Sequence, residues 1–239
     1  LLTTCYLLLT TYYSIKSMLV RILGSAAGGG FPQWNCNCPG CQFVREGENC
    51  VHQRTQSSLA VRGTKGSWYL INSSPDVRQQ LERLRDTKPT SIRSSPIAGV
   101  LLTDAEIDHT AGLMILRESA EPLAIYGTHS VRKALTDGFS ILRVLKDYCG
   151  VVWTNIEAGS ALDLQSDDGS SLEIEVFSLK SKPPKYMRSN SSVDDNYDGS
   201  VVGFTFRDRI SGGVVTYAPA LSEFNDSILE RLNKSDCIL

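Results

Sequence analysis

The densest chemistry in the chain is Cys36-Asn37-Cys38-Pro39-Gly40-Cys41, three thiols directly after the glycine-rich stretch from Gly24 to Asn35. Cysteines this close are too crowded to make a sensible disulfide framework with one another, but they can wrap one tetrahedral cation. Zinc takes thiolates at about 2.3 Å and is held by short-spaced cysteines in structural sites. Glycines permit tight bending, and Pro39-Gly40 is expected to form a turn that points Cys41 back toward Cys38. The expectation is a structural zinc knuckle with three local ligands, Cys36, Cys38 and Cys41, and one distant ligand. Cys50 and His52 are local substitutes for that fourth position. The competing expectation is three reduced, buried thiols without metal.

A second constellation is Leu101-Leu102-Thr103-Asp104-Ala105-Glu106-Ile107-Asp108-His109. A buried strand, Ile97 to Leu102, delivers Asp104, Glu106, Asp108 and His109 to the edge of a sheet. A helix starting near Asp108 turns its positive end toward the same spot. Carboxylates and imidazole can bind zinc, iron or manganese, so the four form a candidate second metal site, with Asp108 and His109 as candidate catalytic residues. The alternative is structural: Asp104 caps, Asp108 steadies the helix N-terminus and Glu106 is solvated. His52 and His129 read as isolated surface or core groups.

These residues need a scaffold, and the pattern supplies alternating short strands and helices from Met18 onward. Ser57–Arg62 and Trp68–Asn72 read as paired strands around the turn Gly63-Thr64-Lys65-Gly66. Ser74-Pro75-Asp76 reads as a helix start with Ser74 as cap. His109–Glu118, Ser130–Leu135, Phe139–Leu145 and Ser222–Leu232 read as helices. Leu123–Tyr126, Val151–Ile156, Leu172–Phe177, Val201–Phe206 and Val214–Tyr217 read as strands, and Asp236–Leu239 as the opening of another. The polar stretch Ser178–Ser200 is long for a loop in a compact domain. No internal repeat is visible, and the mixture points to a layered α/β sandwich.

At 239 residues the chain has room for one large domain or two small ones. A net charge of −2 and the lack of a basic stripe argue against nucleic-acid binding. Cys5, Cys50, Cys149 and Cys237 are scattered, which suits a reducing, cytoplasmic setting. Residues 1–17 read as an extension outside the domain: the apolar run there is too short to span a bilayer and lacks the marks of a signal peptide. The domain is expected over residues 18–239, with an N-terminal anchor as the alternative for the extension.

The run Leu23-Gly24-Ser25-Ala26-Ala27-Gly28-Gly29-Gly30-Phe31-Pro32-Gln33-Trp34-Asn35-Cys36-Asn37-Cys38 resembles the N-terminal signature of the pyrroloquinoline quinone (PQQ) biosynthesis protein B family. Arg54-Thr55-Gln56-Ser57-Ser58, Ser74-Pro75-Asp76-Val77-Arg78, Ile107-Asp108-His109-Thr110 and Tyr217-Ala218-Pro219 resemble further stretches of it. The resemblance implies a metallo-β-lactamase-like αββα sandwich, here shorter at its C-terminal end than the family. In that superfamily the strand-end motif is His-x-His-x-Asp-His. Here Asp104 and Glu106 replace the two histidines, while Asp108 and His109 remain. That makes the site richer in oxygen and moves it away from a dinuclear hydrolytic zinc pair.

The resemblance also implies an accessory role in making PQQ, a redox cofactor built from a glutamate and a tyrosine of a precursor peptide. Three activities are compatible with it: metal-dependent hydroxylation of the precursor-derived tyrosine, with non-haem iron as the metal; carriage of PQQ or its precursor; and metal-dependent hydrolysis. The implied partners are the precursor peptide or a dipeptide from it, and other proteins of the pathway.

Overall fold

The computed structural model describes residues 12–15, 17–48, 51–84, 93–164, 169–188 and 199–239. Two sheets stack face to face. The first holds β1 (Tyr12–Ile15), β2 (Met18–Gly24), β3 (Ser58–Arg62), β4 (Trp68–Ile71), β5 (Ile97–Leu101), β6 (Leu123–Gly127) and β7 (Val151–Asn155), in that order across the sheet. Pairing is antiparallel from β1 to β4 and parallel from β4 to β7. The second sheet holds β8 (Ala161–Asp163), β9 (Leu172–Ser178), β10 (Val202–Asp208), β11 (Val214–Tyr217) and β12 (Cys237–Ile238).

Alternation along the strands sorts side chains between layers. Leu59 and Val61 of β3 and Tyr69 and Ile71 of β4 face the second sheet, where they meet Ile174, Val176, Phe204, Phe206 and Val215. Their neighbours Ala60, Trp68 and Leu70 face outward against helical residues Val77, Leu113, Val131, Leu135, Ile141 and Leu145. Each large side chain buried this way contributes about 1.5–3 kcal/mol. The outer face of the second sheet is polar, and α7 (Asp226–Asn233) lies over it. There Arg231 reaches Glu175 at 2.5 Å and Thr205 at 3.2 Å, and its guanidinium sits 4.6 Å from the Phe177 ring centroid. The layering is the expected αββα sandwich.

The helices depart from expectation in instructive ways. Pro39-Gly40 is not a turn but the opening of α1 (Pro39–Glu46), with Cys38 at the N-cap and Pro39 in the first turn, where its missing N–H costs nothing. Gly47, at φ 77°, closes that helix. Ser74 does not cap α2 (Val77–Glu82); Asp76 occupies the cap position, while Ser74 Oγ donates to Gln80 Oε1 at 2.9 Å.

The helix expected over His109–Glu118 is broken into α3 (Ile107–Thr110) and α4 (Leu113–Leu116). Gly112 between them presses on the 73–74 backbone, its N–H donating to the Ser73 carbonyl at 2.9 Å, and a side chain there would collide with the Ser74 carbonyl. A π-helical turn, Ala134–Gly138, links α5 (His129–Lys133) to α6 (Ile141–Lys146). The last helix starts late, at Asp226, because the Asn225 side chain caps it by accepting from the Ile228 N–H at 2.9 Å.

Backbone pairing reaches upstream of Met18, where the domain was expected to begin: Tyr12–Ile15 pairs with Met18–Arg21. Residues 1–11 and 189–198, the latter within the long polar stretch, lie outside the described residues. Among the described residues no helix is long and apolar enough to cross a membrane.

Candidate functional site

The three thiols converge. The Sγ atoms of Cys36, Cys38 and Cys41 all lie within 4.8 Å of one another, the one grouping of three or more such donors among the described residues. Zinc–sulfur bonds of about 2.3 Å in a tetrahedron place sulfurs about 3.8 Å apart, so the donor set fits zinc. The geometry comes from two local devices. Cys41 sits one turn into α1, facing back over its own N-terminus, where the Cys38 carbonyl accepts from the Gln42 N–H at 3.0 Å. Arg45, from the last turn, donates to the Cys36 and Gln33 carbonyls, each at 2.6 Å, and pins the incoming loop.

The Cys41 N–H and the neighbouring Cys36 and Cys41 thiols pull the Cys38 thiol below its ordinary range, toward the thiolate that binds metal. Cys41 is buried, Cys36 half-buried and Cys38 exposed. His52 does not join the cluster, and Cys50 lies outside the described residues.

The second constellation forms where β4 and β5 end side by side. Asn72, just past β4, takes φ 61° and turns its amide toward Thr103. Its Oδ1 accepts from the Thr103 N–H at 3.0 Å, and its Nδ2 donates to Thr103 Oγ1 at 2.9 Å. Thr103 Oγ1 in turn donates to Asp104 Oδ2 at 2.7 Å, and the Glu106 N–H donates to Asp104 Oδ1 at 2.9 Å. The Val202 N–H donates to the Thr103 carbonyl at 2.8 Å, tying this corner to the second sheet.

Asp104 is thereby buried and held, and both its oxygens lie 2.8 Å from His109 Nδ1. Burial alone would raise the Asp104 carboxyl; the His109 hydrogen bond and charge outweigh it and hold the group below its usual range. Burial likewise opposes charge on His109, and Asp104, with Asp108 and Glu106 nearby, overrides that and raises it. Glu106 is raised by burial and by the charges of Asp104 and Asp108.

Asp104 was expected as a metal donor. The structure puts its oxygens in hydrogen bonds with Thr103 Oγ1, the Glu106 N–H and His109 Nδ1. With Nδ1 engaged, Nε2 is the free ring nitrogen: none of the described residues hydrogen bonds to it. Asp108 lies opposite the glycine-rich loop, where a methyl group on Gly28 would stand 3.2 Å from its carboxylate. Asp104, Glu106, Asp108 and His109 share one corner, yet they do not form a three-donor grouping there. His129 is exposed at the start of α5 and joins no grouping.

Tyr186 escaped the sequence reading, and so did the contacts that Tyr217, Asp76 and Gln56, visible only as members of motif stretches, make here. Tyr186 donates to the Ala105 carbonyl at 2.5 Å, and burial plus the charges of Glu106 and Asp104 push its phenol up to about 12. Tyr217 arrives from β11, buried, with its hydroxyl 3.5 Å from Ser57 Oγ. Asp76 accepts from the Gln56 N–H at 2.9 Å, and Gln56 Oε1 accepts from the Gly29 N–H at 3.1 Å, which anchors the glycine loop. A Ser-Pro-Asp run at a strand end was visible as a motif; its tie to Gln56 was not.

Residues 67–239 match the beta-lactamase superfamily domain. The chain is 40% identical over 223 residues to the coenzyme PQQ synthesis protein B of Azoarcus sp., an alignment spanning 93% of this chain and 72% of that protein. It is 38% identical to the protein of the same name from Methylococcus capsulatus, with the same coverage. Among solved structures, it is similar to Zn(2+)-bound PqqB from Methylobacterium extorquens, with a TM-score of 0.79 and 33% identity over 92% of this chain and 71% of that one. A diphosphatase of the PhnP family shares the fold, with a TM-score of 0.64 at 18% identity, over 92% of this chain and 72% of that one. A glycine loop leading into a thiol cluster, a buried carboxylate–histidine pair at the end of β5 and these likenesses agree, and the chain belongs to the coenzyme PQQ synthesis protein B family.

Proposed function

We propose that this chain serves PQQ synthesis as a metal-dependent hydroxylase of the precursor-derived tyrosine, taking a Glu–Tyr peptide or dipeptide as substrate. The observation that carries the reading is the Asp104–His109 pair. A buried carboxylate on Nδ1 fixes the ring's tautomer and direction and leaves Nε2 to meet a cation, the arrangement found behind metal-bound histidines. Non-haem iron with two imidazoles and one carboxylate supplies activated oxygen when bound. The described residues fit part of that shell: His109 as the imidazole, with Asp108 and Glu106 as carboxylates beside it. They do not complete it, since no second histidine joins them.

The thiol cluster supports a separate structural zinc on Cys36, Cys38 and Cys41. Cys36, Cys38, Cys41, Cys149 and Cys237 are all free, which supports a reducing, cytoplasmic place of action.

Metal analysis of the full chain and of His109→Ala tests the reading. The expected result is zinc in both proteins and an iron-type second metal in the first alone, with oxygen consumption on addition of Glu–Tyr dipeptide. Zinc at the cysteines with no second metal would replace the hydroxylase with a non-catalytic carrier.

A further inference from the structure

The peptide unit between Ala105 and Glu106 is gripped from both sides. On one side the Tyr186 hydroxyl donates to the Ala105 carbonyl at 2.5 Å, from 81 residues along the chain. On the other the Glu106 N–H donates to Asp104 Oδ1 at 2.9 Å. The unit is planar and trans, so its C=O and N–H point opposite ways. Asp104 Oδ1 in turn lies 2.8 Å from His109 Nδ1. A phenol, one peptide unit and a carboxylate thus make a single chain of hydrogen bonds that ends at the imidazole.

The first two bonds run in one sense. A phenol is protonated at neutral pH, and a carbonyl can only accept. A hydrogen bond to the C=O polarises the unit and makes its N–H a better donor, as in other such chains. The Glu106 N–H therefore grips Asp104 Oδ1 more firmly while Thr103 Oγ1 holds Oδ2 at 2.7 Å. What reaches His109 is direction: a carboxylate fixed at both oxygens leaves the ring one way to point.

The phenol is itself seated. Tyr186 lies in the short 3-10 turn Lys185–Met187, where the Arg188 Nε donates back to the Pro183 carbonyl at 2.8 Å. That turn rests on Gly138, the last residue of the π-helical turn. A methyl group on Gly138 would stand 2.8 Å from the Tyr186 ring and 2.6 Å from Met187 Sδ, so a glycine is what leaves room for the ring. Tyr186 remains 36% exposed, so losing its hydroxyl empties no core.

We infer that Tyr186 is a positioning residue for His109: its hydroxyl holds the 105–106 peptide, the N–H of that peptide holds the Asp104 carboxylate, and the carboxylate aims the imidazole. The inference deepens the metal reading at His109 and rests on it for one of the two measurements below.

Tyr186→Phe keeps the ring on Gly138 and removes only the donor. It is compared with the parent, both as zinc-loaded full chains, by the amide proton resonance of Glu106, which needs no second metal, and by anaerobic titration with iron(II). The Glu106 amide proton is expected to move upfield, as for a weakened hydrogen bond. Iron(II) is expected to bind about tenfold more weakly, the low end for a partner behind a metal-bound histidine, with a nearly unchanged thermal melt. Gly138→Ala, which pushes the ring off its seat, is expected to give the same two changes, and it replaces Tyr186→Phe should that variant not fold. Because Tyr186 acts through Asp104, Tyr186→Phe is expected to cost no further affinity in an Asp104→Ala background, whereas a mere anchor for the turn would cost the same there. An unmoved Glu106 amide, iron(II) affinity equal to the parent's, or an undiminished loss in the Asp104→Ala background would each overturn the inference. A parent chain that binds no iron(II) would fail the reading at His109 instead, and the Glu106 amide would then decide the inference alone.

Discussion

His109 Nδ1 stands 2.8 Å from each carboxylate oxygen of Asp104, and Asp104 is itself held by Thr103 and the Glu106 N–H. The imidazole is thus aimed by its neighbour. Asp104→Asn is expected to weaken any metal at Nε2 by about 10–100-fold, the usual effect of losing such a partner. It also removes one member of a buried pair, at about 3 kcal/mol. Metal titration alongside urea unfolding separates the two effects, and unchanged affinity would place His109 outside a metal shell.

Cys38→Ser is expected to release zinc and lower the melting temperature, because a structural metal's binding energy is part of the folding energy. The check is zinc content with thermal melts, with and without chelator. Chelator should lower the melt of the parent chain and leave that of the variant where it is. A parent melt indifferent to chelator would contradict a structural zinc.

Asp208 gathers hydroxyls from three separate segments: Ser171, Ser211 and Thr64 each donate to it at 2.5 Å. Burial would raise its carboxyl, but those bonds outweigh burial and hold it well below its ordinary value of 3.8. A depressed folded pKa means the stabilisation is fully present above about pH 4 and is lost as pH falls through the folded value. Asp208→Asn is therefore expected to cost about 3 kcal/mol at neutral pH and to flatten the acid limb of stability. Urea midpoints measured from neutral pH down to about pH 2.5 would show it; parallel acid limbs in the two proteins would refute it.

Gly24 and Gly30 belong to one glycine-rich run and should respond differently. A side chain at Gly24 would collide with the Gln56 carbonyl, which is backbone and cannot step aside. Gly24→Ala is expected to cost more than about 3 kcal/mol. Gly30 has open space, the nearest atom being the Arg54 carbonyl oxygen at 3.7 Å, and only its φ of 73° resists substitution. Gly30→Ala is expected to cost about 1–2 kcal/mol. Denaturant midpoints of the two variants decide it, and equal losses would contradict the distinction.

Strand placement was legible in the residues because two-residue alternation is a local signal. Leu59, Val61, Tyr69 and Ile71 face one layer and Ala60, Leu70 and Trp68 the other, as their order along the chain requires. The thiol cluster was legible for the same reason, its donors lying within a few bonds of one another. Helix ends were less so. The break at Gly112 and the late start at Asp226 depend on the Ser73 carbonyl and on the choice of Asn225 as cap.

The chemistry-bearing residue types at the end of β5 were readable in advance, but their division of labour was not. Asp104 is hydrogen-bonded to His109 Nδ1 and to its neighbour Thr103, which is itself held by Asn72 from the end of β4. The contact of Tyr186 with the Ala105 carbonyl and that of Tyr217 with Ser57 were invisible beforehand, since each joins segments far apart in the chain. Composition and periodicity decided the layers and the metal-type donors here. Only packing decided which donors touch, because contact between distant segments follows from the way whole sheets and helices settle against one another.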